Sequence, residues 1–335
     1  MTARVLLIGG AGYIGLVTTD HLLAAGYEVC CLDLLLYRNN ACVLPFLSHP
    51  RYSFVYGDLA DQAALGRALE GVDHVVLLAG LVGDPVTKKH PEASRAINDT
   101  GVQACIDRLD GNGLQRVVFV STCSNYGLIE SDEMADEDFP LRPLSLYARS
   151  KVAAEQHLLA GKGRVDYAPT VLRFATAFGL SPRMRFDLTV NEFTRELALG
   201  RDLLVFDAHT WRPYCHVKDF ARLIQLTLQA SADDVAFETF NAGGDANNLT
   251  KANIVDLIVR HIPSGSVRYQ EHGSDARNYR VNFRKVRDTL GFQPAYTVQN
   301  GIEELLAAMH EHVFDHVDEN RSFYGNYDIV YPPPQ

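Results

Sequence analysis

The chain has 335 residues, 47% of them hydrophobic and 21% charged, with a formal net charge of -10. That length buries a core sufficient for one large α/β domain or two coupled ones, and the balance is globular rather than disordered. The acidic charge, with no Lys/Arg run longer than two, excludes nucleic-acid binding as the main task, and no apolar stretch approaches the roughly 18 residues of a membrane span. Met1–Gly10 reads as a buried strand running into glycines rather than as a secretory leader. Cys30, Cys31, Cys42, Cys105, Cys123 and Cys215 are scattered and form no Cys-x-x-Cys pair. Reduced thiols in a cytoplasmic protein are therefore expected, without a disulfide scaffold or a metal site.

In chain order, Arg4–Ile8 is a predicted strand and Tyr13–Ala25 a helix ended by Gly26. Strands follow over Glu28–Leu32, Tyr52–Tyr56 and His74–Leu78, then a helix over Glu92–Leu109. A strand over Arg116–Val120 and a helix over Ser145–Leu159 complete the first half. Continuous apolar strands alternating with helices specify an α/β fold with a doubly wound parallel sheet of Rossmann type, covered on both faces. After about Arg173 the pattern changes. Helices over Asn191–Leu199, Val217–Gln229, Thr250–His261 and Ile302–His312 are separated by loops rich in Arg, Asp, His and Gly. The expected division is a dinucleotide-binding domain over residues 1–172 and a smaller C-terminal α/β substrate lobe over 173–335. Some segments of that lobe are expected to return to the first domain. The tail from Tyr324, with its three prolines, is expected to be irregular.

Gly9, Gly12 and Gly15 directly follow the first strand and open the first helix. Gly9 permits a tight turn, Gly12 lets backbone approach a pyrophosphate, and Gly15 allows close helix–strand packing. Tyr13 and Ile14, at the start of that helix, complete the segment that would face the phosphates. Asp33 ends the second strand 18 residues beyond Gly15. A carboxylate there accepts from both adenosine ribose hydroxyls and repels a 2′-phosphate, which favours NAD over NADP, although Arg38 nearby leaves NADP open. Asp58 and Leu59, after the third strand, suit an adenine-edge contact.

Tyr147 and Lys151 stand at i and i+4, on one face of a helix. A cation close to a phenol favours phenolate and is expected to lower the tyrosine pKa toward a useful acid/base range. Tyr214 and Lys218 repeat the spacing. The first pair is preferred because Thr122 precedes Tyr147 by 25 residues at the carboxyl end of a strand, giving a hydroxyl, a phenol and an amine in order.

Taken together, Gly9–Gly15, Asp33, Gly57-Asp58-Leu59, Ser121–Gly127 and Tyr147–Lys151 resemble the sugar-nucleotide epimerase/dehydratase family of extended short-chain dehydrogenases. Leu78-Ala79-Gly80 and Asn98-Asp99-Thr100-Gly101 are similar to further cofactor-side segments of that family. Leu172-Arg173 through Phe178-Gly179, Arg212–Asp219 and Phe240–Gly243 also match. The resemblance implies that Tyr147 is the catalytic base, that Lys151 holds the nicotinamide ribose, and that Thr122 bonds the reacting hydroxyl. It implies Arg212 and Arg277 on the substrate diphosphate, a sugar-nucleotide substrate, and a homodimer formed through the helices near Glu92–Leu109 and Ser145–Leu159. Thr176 stands where many relatives carry Asn, and Asn282 where an acid is usual. Thr176, Arg183 and Asn191 are taken as substrate contacts.

The shared first step implied is oxidation of a sugar hydroxyl at C4 by NAD. Dehydratases of the family carry Asp-Glu directly after the threonine, whereas Cys123 and Ser124 stand here. A 4-epimerase, which passes through a ketosugar and returns the hydride, needs no such groups and is the expected activity. The alternative is a dehydratase or 4-ketoreductase using the Cys123 thiol as an extra acid or base. A catalytically silent NAD-binding scaffold is the third reading.

Overall fold

The computed structural model describes residues 2–130, 132–273 and 275–333. Seven strands form its central sheet: β1 (Arg4–Ile8), β2 (Glu28–Asp33), β3 (Tyr52–Tyr56), β4 (His74–Leu77), β5 (Arg116–Thr122), β6 (Ala168–Phe174) and β7 (Glu238–Ala242). All pairings are parallel, in the order β7-β6-β5-β4-β1-β2-β3. β1 lies between β2 and β4, so the chain leaves β1 toward one edge and later resumes toward the other. Crevices that take ligands open at the carboxyl ends of such strands.

Side chains alternate across the sheet because the strand period is two. Leu6, Ile8, Leu32, Val75, Leu77, Val117 and Phe119 pack on one face. Val5, Leu7, Val29, Val76, Val118 and Leu172 pack on the other. Burial on both faces explains why these strands read as continuous apolar runs.

The predicted helices form, Val217–Gln229 with the expected bounds and the others with one or both ends shifted: Tyr13–Ala24, Leu146–Leu159, Thr189–Ala198, Lys251–Val259 and Val298–His310. The helix expected over Glu92–Leu109 starts at Pro91 and contains a π-helical turn over Arg95–Gly101. That turn carries Asn98 inward, toward the loop after β4. Phe178, Val190, Val205, Tyr214, Ile254 and Ile302 form a separate core for the C-terminal lobe. No helix among the described residues is long and apolar enough to cross a membrane.

Two sheet strands have no counterpart in the sequence reading. β6 runs through residues 172 and 173, and β7 returns to the sheet from residue 238. Polar residues interrupt both: Thr170 and Arg173 in β6, Asn241 in β7. Each is satisfied inside the fold. Glu155 accepts from Arg173 through Nε at 3.1 Å and Nη2 at 2.9 Å, from Asn125 at 2.8 Å, and from the Ser121 hydroxyl. Arg173 also donates to the Tyr126 hydroxyl at 3.0 Å, and Tyr126 donates to Asn241 at 2.6 Å. This network ties β5, β6 and β7 together beneath Thr122.

Among the described residues, the tail over 325–333 is irregular in conformation yet fastened at several points. Asn326 donates to the Val82 carbonyl at 2.7 Å, and Asp328 pairs with Lys89 and His90, both at 2.7 Å. Ile329 is buried with the core under β1 and β4, and Tyr331 donates to Asp58 at 2.9 Å.

Removing one partner of a buried ion pair strands the other charge. Glu155→Ala is expected to destabilise the protein by about 3–5 kcal/mol in denaturant unfolding, because Arg173 keeps its charge while 8% exposed. A loss below about 1 kcal/mol would contradict this reading of the network.

Candidate active site

A cleft runs across the carboxyl ends of β1, β2, β4 and β5, and the C-terminal lobe forms its other wall. At its base Gly9 adopts φ +84°, and a Cβ there would stand 2.7 Å from the backbone of Ala79. A Cβ on Gly15 would stand 2.5 Å from the Gly10 carbonyl oxygen, so glycine permits the helix to seat this close to the turn. Gly12 is the helix N-cap and supplies no side-chain cap, leaving the first N–H groups directed at the cleft. Gly9, Gly12, Tyr13, Ile14, Gly15 and Asp33 all line it.

Asp33 accepts from the backbone N–H of Ala11 at 3.0 Å and of Leu35 at 2.8 Å, which fixes its carboxylate at the rim. Arg38 is exposed and stands off the lining. Asp58, Leu59, Leu78, Ala79 and Gly80 continue the wall. Asn98 stands behind it. Its side chain accepts from Leu81 N–H at 2.7 Å and donates to the Leu81 carbonyl at 2.9 Å, so it shapes the loop rather than facing the cleft.

Tyr147, Lys151 and Thr122 line one stretch of the cleft. Lys151 Nζ donates to the Val120 carbonyl at 2.8 Å and lies 4.7 Å from the centre of the Phe119 ring. Ser145 caps the helix that carries it, accepting from Ala148 N–H at 3.2 Å. Thr122 Oγ1 lies 2.9 Å from Ser124 Oγ and accepts from Ser124 N–H. Tyr214, of the rival pair, is fully buried, and Lys218 turns outward to Glu304 at 3.1 Å.

The electrostatics differ from the sequence expectation. Burial pushes the Tyr147 phenol up, and Arg185 and Arg277 only partly offset it, while Asp84 adds to the rise. Lys151 Nζ is 6.0 Å from the Tyr147 ring centre and bonded elsewhere, so proximity alone does not lower the phenol. Burial also lowers the Lys151 ammonium, to about 8.

Cys123 does not enter the cleft. Its side chain is fully buried, Sγ sits 3.1 Å from the Arg173 carbonyl, and burial pushes the thiol up, so it is not an available acid or base. Cys123 opens the 3-10 turn Cys123–Tyr126 that follows β5, and that turn points Ser124, not Cys123, into the cleft.

At the far end Arg212 and Arg277 converge on Asp275, at 3.1 Å and 2.7 Å, and Arg277 also reaches Asp84 at 3.2 Å. Thr176 lines the same end. Asn191 does not: it bonds Gly179 N–H, the Tyr13 hydroxyl and the Arg185 carbonyl, and is fully buried. Arg183 lines the cleft, but beside Tyr37, with its guanidinium carbon 4.3 Å from the ring centre. Sequence reasoning did not single out Tyr37, Asp84, Arg185, Asp187, Tyr279 or Asn326, all of which line the cleft. Only Arg185 and Asp187 carried a signal, the density of polar side chains over Ser181–Asp187.

The Lys151 shift has a measurable sign. Between about 8 and the ordinary 10.5 the unfolded chain holds a proton that the folded chain lacks, so stability due to this group rises with pH across that window. Relative to Lys151→Met, the wild type is expected to gain roughly 3 kcal/mol over that range. A difference that is flat or falls would contradict the buried, depressed ammonium.

Residues 5–243 match the model of the family described as NAD dependent epimerase/dehydratase. A dTDP-glucose 4,6-dehydratase of Streptomyces griseus is 32% identical, over 93% of this chain and 95% of its own. A UDP-glucose 4-epimerase of Lacticaseibacillus casei is 27% identical, over 92% and 96%. Among solved structures, the dTDP-glucose 4,6-dehydratase DesIV of Streptomyces venezuelae, crystallised with NAD and TYD, superposes with a TM-score of 0.82 at 29% identity. That match covers 92% of this chain and 97% of DesIV. With the glycine turn, the acidic end of β2 and the hydroxyl–phenol–amine set already in one cleft, these matches place the chain in the NAD dependent epimerase/dehydratase family.

Proposed function

We propose that the protein binds NAD and epimerises a sugar nucleotide at C4 of the sugar. The residues present suit the cofactor. An uncapped helix start, a fixed carboxylate at the end of β2, and a buried arginine whose Nε has no partner border one cleft. NAD, when bound, supplies the acceptor for a hydride and the means of returning it.

The chain's residues do the rest. Tyr147 Oη takes the proton of the reacting hydroxyl, and Thr122 Oγ1, braced by Ser124, orients that hydroxyl. Because burial holds the Tyr147 phenol high, the cations that act on it, Arg185 and Arg277, are needed to favour its ionised form. Arg212 and Arg277 present guanidinium forks suited to a diphosphate. Turning the ketosugar over exposes its other face to the returning hydride. The observation that carries this reading is the lining after Thr122: Ser124 faces the cleft, and no carboxylate stands at either of the next two positions.

Dehydration is the second reading, and one feature favours it. Asp84 lines the cleft, interacts electrostatically with Tyr147, and has a buried Oδ1 without a hydrogen-bond partner. An acid or base for water elimination would then be Asp84 rather than Cys123.

Incubation with a panel of sugar nucleotides, read by NMR and mass spectrometry, separates the two. Epimerisation gives a product of unchanged mass with no net reduced cofactor, whereas a product lighter by one water selects dehydration. Tyr147→Phe is expected to lower kcat about a thousandfold while NAD binding persists, and unchanged turnover would return the silent-scaffold reading. Cys123→Ala is expected to leave the rate per folded molecule unchanged, and its loss would reinstate the thiol.

A further inference from the structure

Arg183 is 2% exposed, and among the described residues no carboxylate is in ion-pair contact with it, Asp187 and Asp33 acting on it only from farther away. Its Nη2 donates to the Gly325 carbonyl at 3.3 Å, its guanidinium covers Tyr37, and its Nε has no partner. Burial and the neighbouring Arg185 draw its pKa down to about 10. A buried cation with no carboxylate in contact is costly unless an anion completes it.

The position of that cation is set by Tyr13, the first residue of the glycine-led helix. Tyr13 donates its hydroxyl to the Gly179 carbonyl at 2.6 Å, and the Ser181 hydroxyl donates to the Tyr13 carbonyl at 2.7 Å. The Pro182 carbonyl is held by Cys42 at 3.1 Å. These bonds fasten residues 179–183 onto the helix start, so the guanidinium and the uncapped N–H groups are two positive groups on one cleft. Both favour an anion in the cleft, and a multiply charged one can answer both.

The C-terminal segment closes the same side. Gly325 holds Arg183, Asn326 lines the cleft and bonds Val82, Ile329 is buried, and Tyr331 bonds Asp58 at the adenine end.

We propose that Arg183 is a ligand of the cofactor diphosphate rather than of the substrate, and that residues 325–331 form a strap that holds it there and keeps the dinucleotide resident. The proposal rests on the NAD reading above. It accords with a reaction in which the hydride is returned, since such a cofactor has no need to leave between turnovers.

The test compares full-length protein, Arg183→Gln, Tyr331→Phe and a chain ending at Tyr327. Binding of ADP-ribose and of UDP is measured by calorimetry, and release of labelled NAD by dilution into excess unlabelled NAD. Circular dichroism confirms that each variant is folded. Arg183→Gln is expected to weaken ADP-ribose by roughly tenfold or more and to leave UDP unchanged. Tyr331→Phe and the shortened chain are expected to release NAD faster, the shortened chain by roughly tenfold or more. Weakened UDP with unchanged ADP-ribose would assign Arg183 to the substrate and overturn the proposal. Unchanged NAD release in both tail variants would overturn the strap. Full-length protein that binds UDP but neither NAD nor ADP-ribose would overturn the cofactor reading and the proposal with it.

Discussion

The hydrogen bond from Lys151 to the Val120 carbonyl is the contact on which the chemical end of the cleft depends. Val120 belongs to β5, and Lys151 to the helix that also carries Tyr147, so this bond sets the phenol against the strand that ends in Thr122. It also keeps a cation in an interior that disfavours charge, which is why the ammonium is depressed. Beneath it, Glu155 and Arg173 hold β5 to β6 and β7 and fix the level at which Thr122 emerges. The cleft is therefore rigid where a proton would move.

The second physical theme is how the two halves of the chain are joined. Tyr13 stands at the glycine turn, yet its hydroxyl and carbonyl are bonded to Gly179, Ser181 and Asn191, far along the sequence. β7 and the C-terminal segment reinforce the connection by pairing with β6 and reaching Asp58. The C-terminal lobe is thus built onto the side that carries the glycine turn, and a ligand seated in the cleft touches both.

Much of this was legible in the residues themselves. β1 to β5 follow from apolar runs that a doubly covered sheet requires, and the glycine turn and Asp33 follow from the geometry a diphosphate and a ribose demand. Tyr147, Lys151 and Thr122 were recognisable by order along the chain. β6 and β7 were missed because Arg173 and Asn241 break the apolar pattern, and their partners Glu155 and Tyr126 are distant in sequence. Cys123, Asn98 and Asn191 were read as facing ligands. The 3-10 turn after β5 carries the thiol inward against the Arg173 carbonyl, Asn98 bonds the back of the loop, and Asn191 is consumed by Tyr13 and Gly179. Asp84 and the tail contacts carry no local pattern, since they gain meaning only when the chain returns.

The central claim is that one bound dinucleotide takes a hydride from the sugar and gives it back to the same carbon. A sugar nucleotide carrying deuterium at C4 tests this directly, with product read by NMR. The account predicts the inverted sugar with deuterium still at C4 and no reduced dinucleotide in solution. Deuterium at another carbon of the sugar, or in free reduced dinucleotide, would contradict it.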